Sequence, residues 1–248
     1  MNVLELFSGT KSIGKVCDQL GWNAVSVDMI LPADHQCDIM DFDYKQYPKD
    51  YFGICWGSPP CCAYSNLQGC WLGRKKKGGI FTQEKMDSDM NEADIIVKKT
   101  LEIIDYFDCE YWFMENPQTG KLKNREFMKD IPFYDVSYCM YSDWGYEKKT
   151  RIWTNKKDWN NQICDKSGAC GNMVESQHKQ VLGNGYVMVD GKKVICNTKA
   201  LRKKHKLNVA NDVHTIGEKK EKGKLKEGTT QLDRYRIPED LIFSLFLE

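Results

Sequence analysis

No stretch of this 248-residue chain approaches the ~18 uninterrupted apolar residues of a membrane-crossing helix, which excludes a helical span. The opening residues, MNVLELFSGT, have neither a basic leader nor a long apolar run before a small-residue cleavage site. They read as a buried strand, so a reducing, cytoplasmic setting is expected rather than export. Internal repeats are absent. A disulfide framework is also disfavoured, because eleven cysteines is an odd number and all but Cys61-Cys62 are scattered singly. Reduced thiols, some reactive or metal-binding, are the expectation. An overall charge excess is lacking too, the net being +1, but that balance hides a split. Residues 156–227 hold 16 Lys/Arg against 8 Asp/Glu, and the rest of the chain holds 20 against 27. An acidic body with one basic segment suits a polyanionic partner met through one face; a lysine-rich solvated surface has the same composition.

With 41% hydrophobic and 12% aromatic residues, the chain can bury one core and a small appended lobe, not two full enzyme domains. Residues 1–7 read as a strand, followed by a turn at Ser8-Gly9-Thr10. Apolar residues at 13, 16, 17 and 20 then share one helical face. Further strands are expected at Asn23–Val27, near Cys37–Ile39, at Tyr51–Trp56 and at Tyr111–Met114, with a helix over Met86–Phe107. The Gly- and Lys-rich segment 66–85 reads as a long mobile loop. Strands alternating with helices predict an α/β fold with a largely parallel sheet. Strand-like segments continue at Tyr134–Tyr141 and Arg151–Thr154, and Pro238 opens a terminal amphipathic helix. The predicted organisation is a main domain over 1–155, a small basic lobe over 156–227, and a C-terminal helix within 228–248 that returns to the main domain.

Ligands of parallel α/β sheets bind at the carboxyl ends of the strands. There the sequence places Phe7-Ser8-Gly9, Asp28, Asp38-Ile39, Gly57-Ser58-Pro59-Pro60-Cys61 and Glu115-Asn116-Pro117. A small-residue turn feeding a helix suits a carboxylate or phosphate. Asp28 suits ribose hydroxyls, and Asp38-Ile39 an adenine amino group and ring. The dinucleotide pattern G-x-G-x-x-G is missing, since position 11 is lysine. A pyrophosphate is thus disfavoured, and the single carboxylate of S-adenosylmethionine fits. Cys61 and Glu115, delivered to neighbouring strand ends, form a nucleophile and a general acid; an inert thiol and a helix cap are the plainer readings of each alone.

In this order the segments resemble the cytosine-C5 methyltransferases. Leu4-Glu5-Leu6-Phe7-Ser8-Gly9-Thr10 is similar to the family's cofactor motif, and Asp28 with Met29 and Asp38-Ile39 to the two that follow. Gly57-Ser58-Pro59-Pro60-Cys61-Cys62-Ala63-Tyr64-Ser65 resembles the nucleophile motif. Phe113-Met114-Glu115-Asn116-Pro117 resembles the glutamate motif, and Lys149-Thr150-Arg151-Ile152-Trp153 the arginine motif. The wording SGTKSIGK, ENPQTG, KKTRIWTN and RYRIPEDLI looks most like the small phage and large-virus branch. The resemblance implies a Rossmann-like sheet, S-adenosylmethionine held by Phe7, Ser8, Gly9, Thr10, Asp28, Met29, Asp38, Ile39, Ser58 and Pro59, and catalysis by Cys61, Glu115, Arg151 and Lys149. It implies a monomer acting on double-stranded DNA, with the target base flipped out. Ser65, Arg74, Lys75, Lys76 and Lys77 would meet the nucleic acid, as would Arg202, Lys203 and Lys204 in the basic segment. Three features depart from the family pattern. Cys62 stands where glutamine is usual, a late Gly-Asn motif is replaced by Arg234-Tyr235-Arg236-Ile237-Pro238, and the lobe is short for a target-recognition domain. An RNA cytosine methyltransferase and a non-catalytic nucleic-acid binder are the competing readings.

Within the lobe, Cys164, Cys170 and His178 follow a Cys-x5-Cys-x7-His spacing, with Cys196 further on. They are candidate zinc ligands, although the spacing is looser than a zinc ribbon's. A small reduced core is the alternative.

Overall fold

The computed structural model describes residues 1–76, 78–174, 176–180, 182 and 234–248, and the short strands at 186–189, 192–195 and 225–226. Two compact units are present: Met1–Val136 with Lys149–Asn161 and Ile242–Glu248, and Ser137–Lys148 with Gln162–Leu241. The chain therefore enters the second unit twice.

The first unit is built on a six-stranded sheet in the order β2-β1-β3-β6-β8-β7. Its members are β1 (Asn2–Leu6), β2 (Asn23–Val27), β3 (Ile54–Gly57), β6 (Tyr111–Pro117), β7 (Phe133–Ser137) and β8 (Lys149–Thr154). The first four are mutually parallel, and β8 runs antiparallel to β6. Interior strands of a parallel sheet are covered on both faces and need near-continuous apolar runs. That is why Val3, Leu4, Leu6, Ile54, Cys55, Trp56, Phe113 and Met114 are all buried. The fold is the Rossmann-like α/β class expected.

Helix α1 (Ser12–Leu20) buries Ile13, Val16 and Cys17. It stops at Gly21, whose φ of +69° allows the last turn to close with Trp22 N donating to the Cys17 carbonyl at 2.9 Å. Helix α2 (Gln83–Phe107) starts on the Thr82 hydroxyl, which accepts from Lys85 N at 3.2 Å. It crosses so close to β3 that a Cβ on Gly57 would lie 2.8 Å from Thr100 Cγ2. Only glycine fits where the strand leads into Ser58-Pro59-Pro60. In the C-terminal helix (Glu239–Leu247), Phe246 stacks on Trp22 at 5.8 Å. Residues 156–161 belong with this body. The buried Lys156 ammonium donates to the Leu245 carbonyl at 2.8 Å, and Trp159 Nε1 donates to the Ser244 hydroxyl at 2.8 Å.

Two local expectations are corrected. No strand forms at 37–39: Val27 and His35 make a single bridge instead. The Asp34 carboxylate takes the backbone N–H of Ser26, and that of Asp38 takes Met40 N–H, so these aspartates fold the segment into turns. The segment 66–85 is also more ordered than its composition suggests. It contains a 3-10 turn (Asn66–Trp71) and a hairpin of β4 (Lys75–Lys76) and β5 (Gly79–Ile80) before α2 begins. Phe81 is buried beneath it, and the Lys76 ammonium sits 4.0 Å from that ring. In the second unit, β9 (Met173–Val174) and β10 (Gln177–His178) form a hairpin, and β11 (Tyr186–Val189), β12 (Lys192–Ile195) and β13 (Leu225–Lys226) a small sheet.

Candidate active site

Strand register gathers the predicted residues along one edge. Val27, Leu6, Gly57 and Met114 are partners across β2, β1, β3 and β6. The residues one step beyond are Asp28, Phe7, Ser58 and Glu115. Three inter-strand gaps of ~4.8 Å separate the first from the last, about 14 Å in all. Because β8 is antiparallel, it begins at this same edge and sets Arg151 opposite Asn116.

At the β1 end, Phe7 and Gly9 have φ of 59° and 50°, which reverses the chain sharply. Asp28 clamps the reversal. Its Oδ2 accepts from Gly9 N at 2.9 Å, while Oδ1 accepts from Ile30 N at 2.8 Å and Leu31 N at 2.7 Å. Two backbone N–H groups at the N-terminus of α1 are already taken within the protein. Glu5, on β1, reaches under the helix end and accepts from Ile13 N at 3.1 Å and Gly14 N at 3.0 Å. Burial pushes the Glu5 carboxyl up to about 7 despite those hydrogen bonds. At the turn itself, the buried hydroxyl oxygen of Ser8 has no hydrogen-bond partner among the described residues. A buried polar atom left so costs about 1–3 kcal/mol, which a bound ligand would recover. Thr10 pairs its hydroxyl with Ser12 at 3.1 Å. Met29 and Asp38 are exposed, and Ile39 is committed to the core.

Beyond β3, the Pro59-Pro60 pair restricts the backbone and Asn116 fixes it. The fully buried Asn116 donates from Nδ2 to the Pro59 carbonyl at 2.9 Å, joining the ends of β3 and β6. On the far side of Cys61, Tyr64 is buried and donates its hydroxyl to Asp94 at 2.8 Å, a carboxylate held in turn by Arg125. Cys61 therefore lies on a loop anchored at both ends. Ser58 accepts from Trp56 Nε1 at 2.9 Å. The Cys61 and Cys62 side chains hydrogen-bond to one another, and that bond pulls the Cys62 thiol down to about 6 against a smaller opposing effect of burial.

Glu115 is buried at the end of β6. Arg151 is held by a residue that sequence reasoning missed, Asp135 on β7. Its Nε and Nη2 donate to the two oxygens of that carboxylate at 2.7 and 2.9 Å, and its guanidinium lies 3.5 Å from the Phe133 ring centre. Burial pulls the Asp135 carboxyl upward, but hydrogen bonds from Arg151 and Gln118 outweigh it and hold the group below the usual carboxylate range. Lys149 is exposed at the start of β8.

The predicted nucleic-acid contacts divide. Arg74 and Lys75 are exposed, beside the exposed Trp71 and Leu72. Lys76 turns inward over Phe81 and Trp71 and donates to Gln68 at 3.2 Å. Ser65 caps the 3-10 turn, accepting from Leu67 N at 3.3 Å. Lys77, Arg202, Lys203 and Lys204 lie outside the described residues. Among the described residues, no helix is long and apolar enough to cross a membrane.

No protein-family model matches the chain. It is 34% identical over 248 residues to a protein of Frog virus 3 (isolate Goorha) named as a probable DNA (cytosine-5)-methyltransferase, covering 99% of this chain and 98% of that one. Among solved structures it is similar to Entamoeba histolytica methyltransferase EhMeth, with 16% identity and a TM-score of 0.42 over 66% of this chain and 55% of that one. It is also similar to S. pombe Dnmt2 methyltransferase, with 12% identity and a TM-score of 0.40 over 64% and 52%. The chain thus spans about half the length of those two structures.

Proposed function

Because the chain belongs to the DNA (cytosine-5)-methyltransferase family, we propose that this sheet edge methylates carbon 5 of cytosine in duplex DNA through a covalent bond from Cys61. One observation carries the proposal: a thiol that forms no disulfide, Cys61, and a buried carboxylate, Glu115, follow neighbouring parallel strands tied by the Asn116–Pro59 hydrogen bond, with Arg151 in register alongside.

The residues at the other end of the row fit S-adenosylmethionine. The Phe7–Thr10 turn offers the Ser8 hydroxyl, unpartnered among the described residues, and Asp28 retains acceptor capacity on Oδ2 for a ribose hydroxyl. Met29 and Asp38 extend that side beyond β2, Ile39 backs it from the core, and Ser58-Pro59 lead towards the thiol. When bound, S-adenosylmethionine supplies an electrophilic methyl group.

Carbon 5 of cytosine is too poor in electrons to take that methyl unaided. Addition of the Cys61 thiolate to carbon 6 makes an enamine with its electron density on carbon 5. Glu115 holds a proton at ring N3, so negative charge does not build up there. Arg151, fixed by Asp135, still has guanidinium donors for the base carbonyl, and Lys149 neutralises a nearby phosphate. A water or hydroxide takes the carbon-5 proton, the freed electron pair re-forms the carbon 5–carbon 6 double bond, and the carbon–sulfur bond breaks with Cys61 leaving as the thiolate. A stacked base cannot present carbon 6 to a thiol, so the cytosine leaves the helix. Ser65, Arg74 and Lys75, with Lys76 beneath them, would meet the strand it leaves.

Nucleoside mass spectrometry after incubation with duplex DNA, RNA and S-adenosylmethionine tests the reading. 5-Methylcytosine in the DNA is expected; product confined to RNA, or none in either, would overturn it. Asp28→Ala, checked for an unchanged melting temperature, should weaken S-adenosylmethionine binding about five- to a hundredfold, the cost of one lost charge-assisted hydrogen bond. Calorimetry showing unaltered affinity would remove Asp28 from the cofactor site.

A further inference from the structure

The second unit collects four metal-ligating side chains from three separate segments. Cys139 lies in the 3-10 turn Tyr138–Met140. Cys164 lies just before, and Cys170 within, a tight turn in which Gly171 N donates to the Gly168 carbonyl at 2.9 Å. His178 is presented by the β9–β10 hairpin, paired with Met173. Cys139 is the member that sequence spacing did not reveal, because it lies upstream of the basic lobe.

The four ligand atoms all lie within 4.8 Å of one another. His178 Nε2 is 3.7 Å from the sulfurs of both Cys164 and Cys170. With zinc–sulfur and zinc–nitrogen bonds of about 2.3 and 2.05 Å, the nitrogen–sulfur edges of a tetrahedron measure about 3.6 Å. The imidazole edges thus already have nearly the required length. The three cysteines are not disulfide-bonded. A reduced core would set each thiol against apolar neighbours; here three thiols and an imidazole nitrogen converge on one point.

The backbone around them is held by Asn172, buried to 1% exposure. Its Nδ2 donates to the carbonyls of Cys139 at 2.8 Å, Ser142 at 2.7 Å and Cys170 at 2.9 Å, and its Oδ1 accepts from Gly145 N at 3.0 Å. The Asn172 carbonyl accepts from Lys179 N, next to His178, at 2.9 Å. One residue therefore ties together the backbone of all three ligand-bearing segments. Bracing of this kind orients metal ligands in proteins.

We propose that Cys139, Cys164, Cys170 and His178 bind one structural zinc ion that clips Ser137–Lys148 to the 162–180 segment within the second unit. Three thiolates and an imidazole favour zinc over the oxygen-seeking Mg²⁺, Ca²⁺ and Mn²⁺. Four protein ligands close the coordination shell, which makes the ion a fold element rather than a reagent. A metal clip contributes folding free energy directly, because the ligands converge only in the folded unit. The site is independent of the catalytic edge, so either proposal can fail alone.

The test is metal analysis of the full-length protein, purified without chelators. About one zinc per chain is expected, falling to background in Cys139→Ser and Cys170→Ser and unchanged in Cys70→Ser, whose cysteine is exposed and outside the cluster. Wild-type protein stripped and refilled with Co²⁺ should show the strong visible absorption of a tetrahedral thiolate site, a readout that does not depend on the variants folding. Metal-free wild type, iron in place of zinc, zinc retained by Cys139→Ser, or a disulfide among Cys139, Cys164 and Cys170 would each overturn the proposal.

Discussion

Cys61→Ser is expected to lower methyl transfer by at least about a thousandfold, because a hydroxyl near neutral pH supplies almost no anionic nucleophile. Cys62→Ser should keep most of the reaction, because the bond between the two thiols lowers Cys62, to about 6, while Cys61 supplies the nucleophile. Steady-state methyl-transfer rates of the two variants, measured side by side, check this. An active Cys61→Ser with an inactive Cys62→Ser would exchange the roles of the two sulfurs.

Glu115→Gln should reduce kcat by about a hundred- to ten-thousandfold, the usual worth of a positioned acid. The substitution keeps shape and removes the carboxyl, so the ends of β3 and β6 should stay joined through Asn116 and Pro59. Glu115 lies three strands from Asp28 along the row, about 14 Å away by strand spacing. S-adenosylmethionine affinity should accordingly change less than about twofold, within the scatter expected for independent sites. A loss under tenfold in kcat would mean that charge at N3 is managed by another group. An equal loss of cofactor affinity would mean that Glu115 acts through the fold.

The parts of the molecule written in short-range patterns were the readable ones. β1, β2 and β6 are apolar runs ended by small or acidic residues, and α1 shows its buried stripe at 13, 16 and 17. What depends on partners far apart in the chain was not readable. Asn116 meets Pro59 across 57 residues, Arg151 meets Asp135 across 16, and Cys139 joins ligands 25 to 39 residues later. Glu5 under the helix end is a related case: an acid inside a buried strand makes sense only once Ile13 and Gly14 are folded above it. The expected strand at 37–39 failed because Asp34 and Asp38 capture nearby backbone N–H groups, which outweighs the apolar character of Cys37 and Ile39. Composition alone also hid the hairpin at Lys75–Ile80, whose order rests on Lys76 lying over the buried Phe81.

The most direct test of covalent catalysis is a trapping reaction on duplex DNA containing 5-fluorocytosine. After methyl transfer, fluorine on carbon 5 cannot leave as a proton does, so the carbon–sulfur bond persists. A protein–DNA adduct that survives denaturation, requires S-adenosylmethionine and maps to Cys61 is the expected result, with none formed by Cys61→Ser. Wild-type protein that methylates ordinary cytosine yet forms no such adduct, or an adduct mapping to another residue, would contradict the assignment.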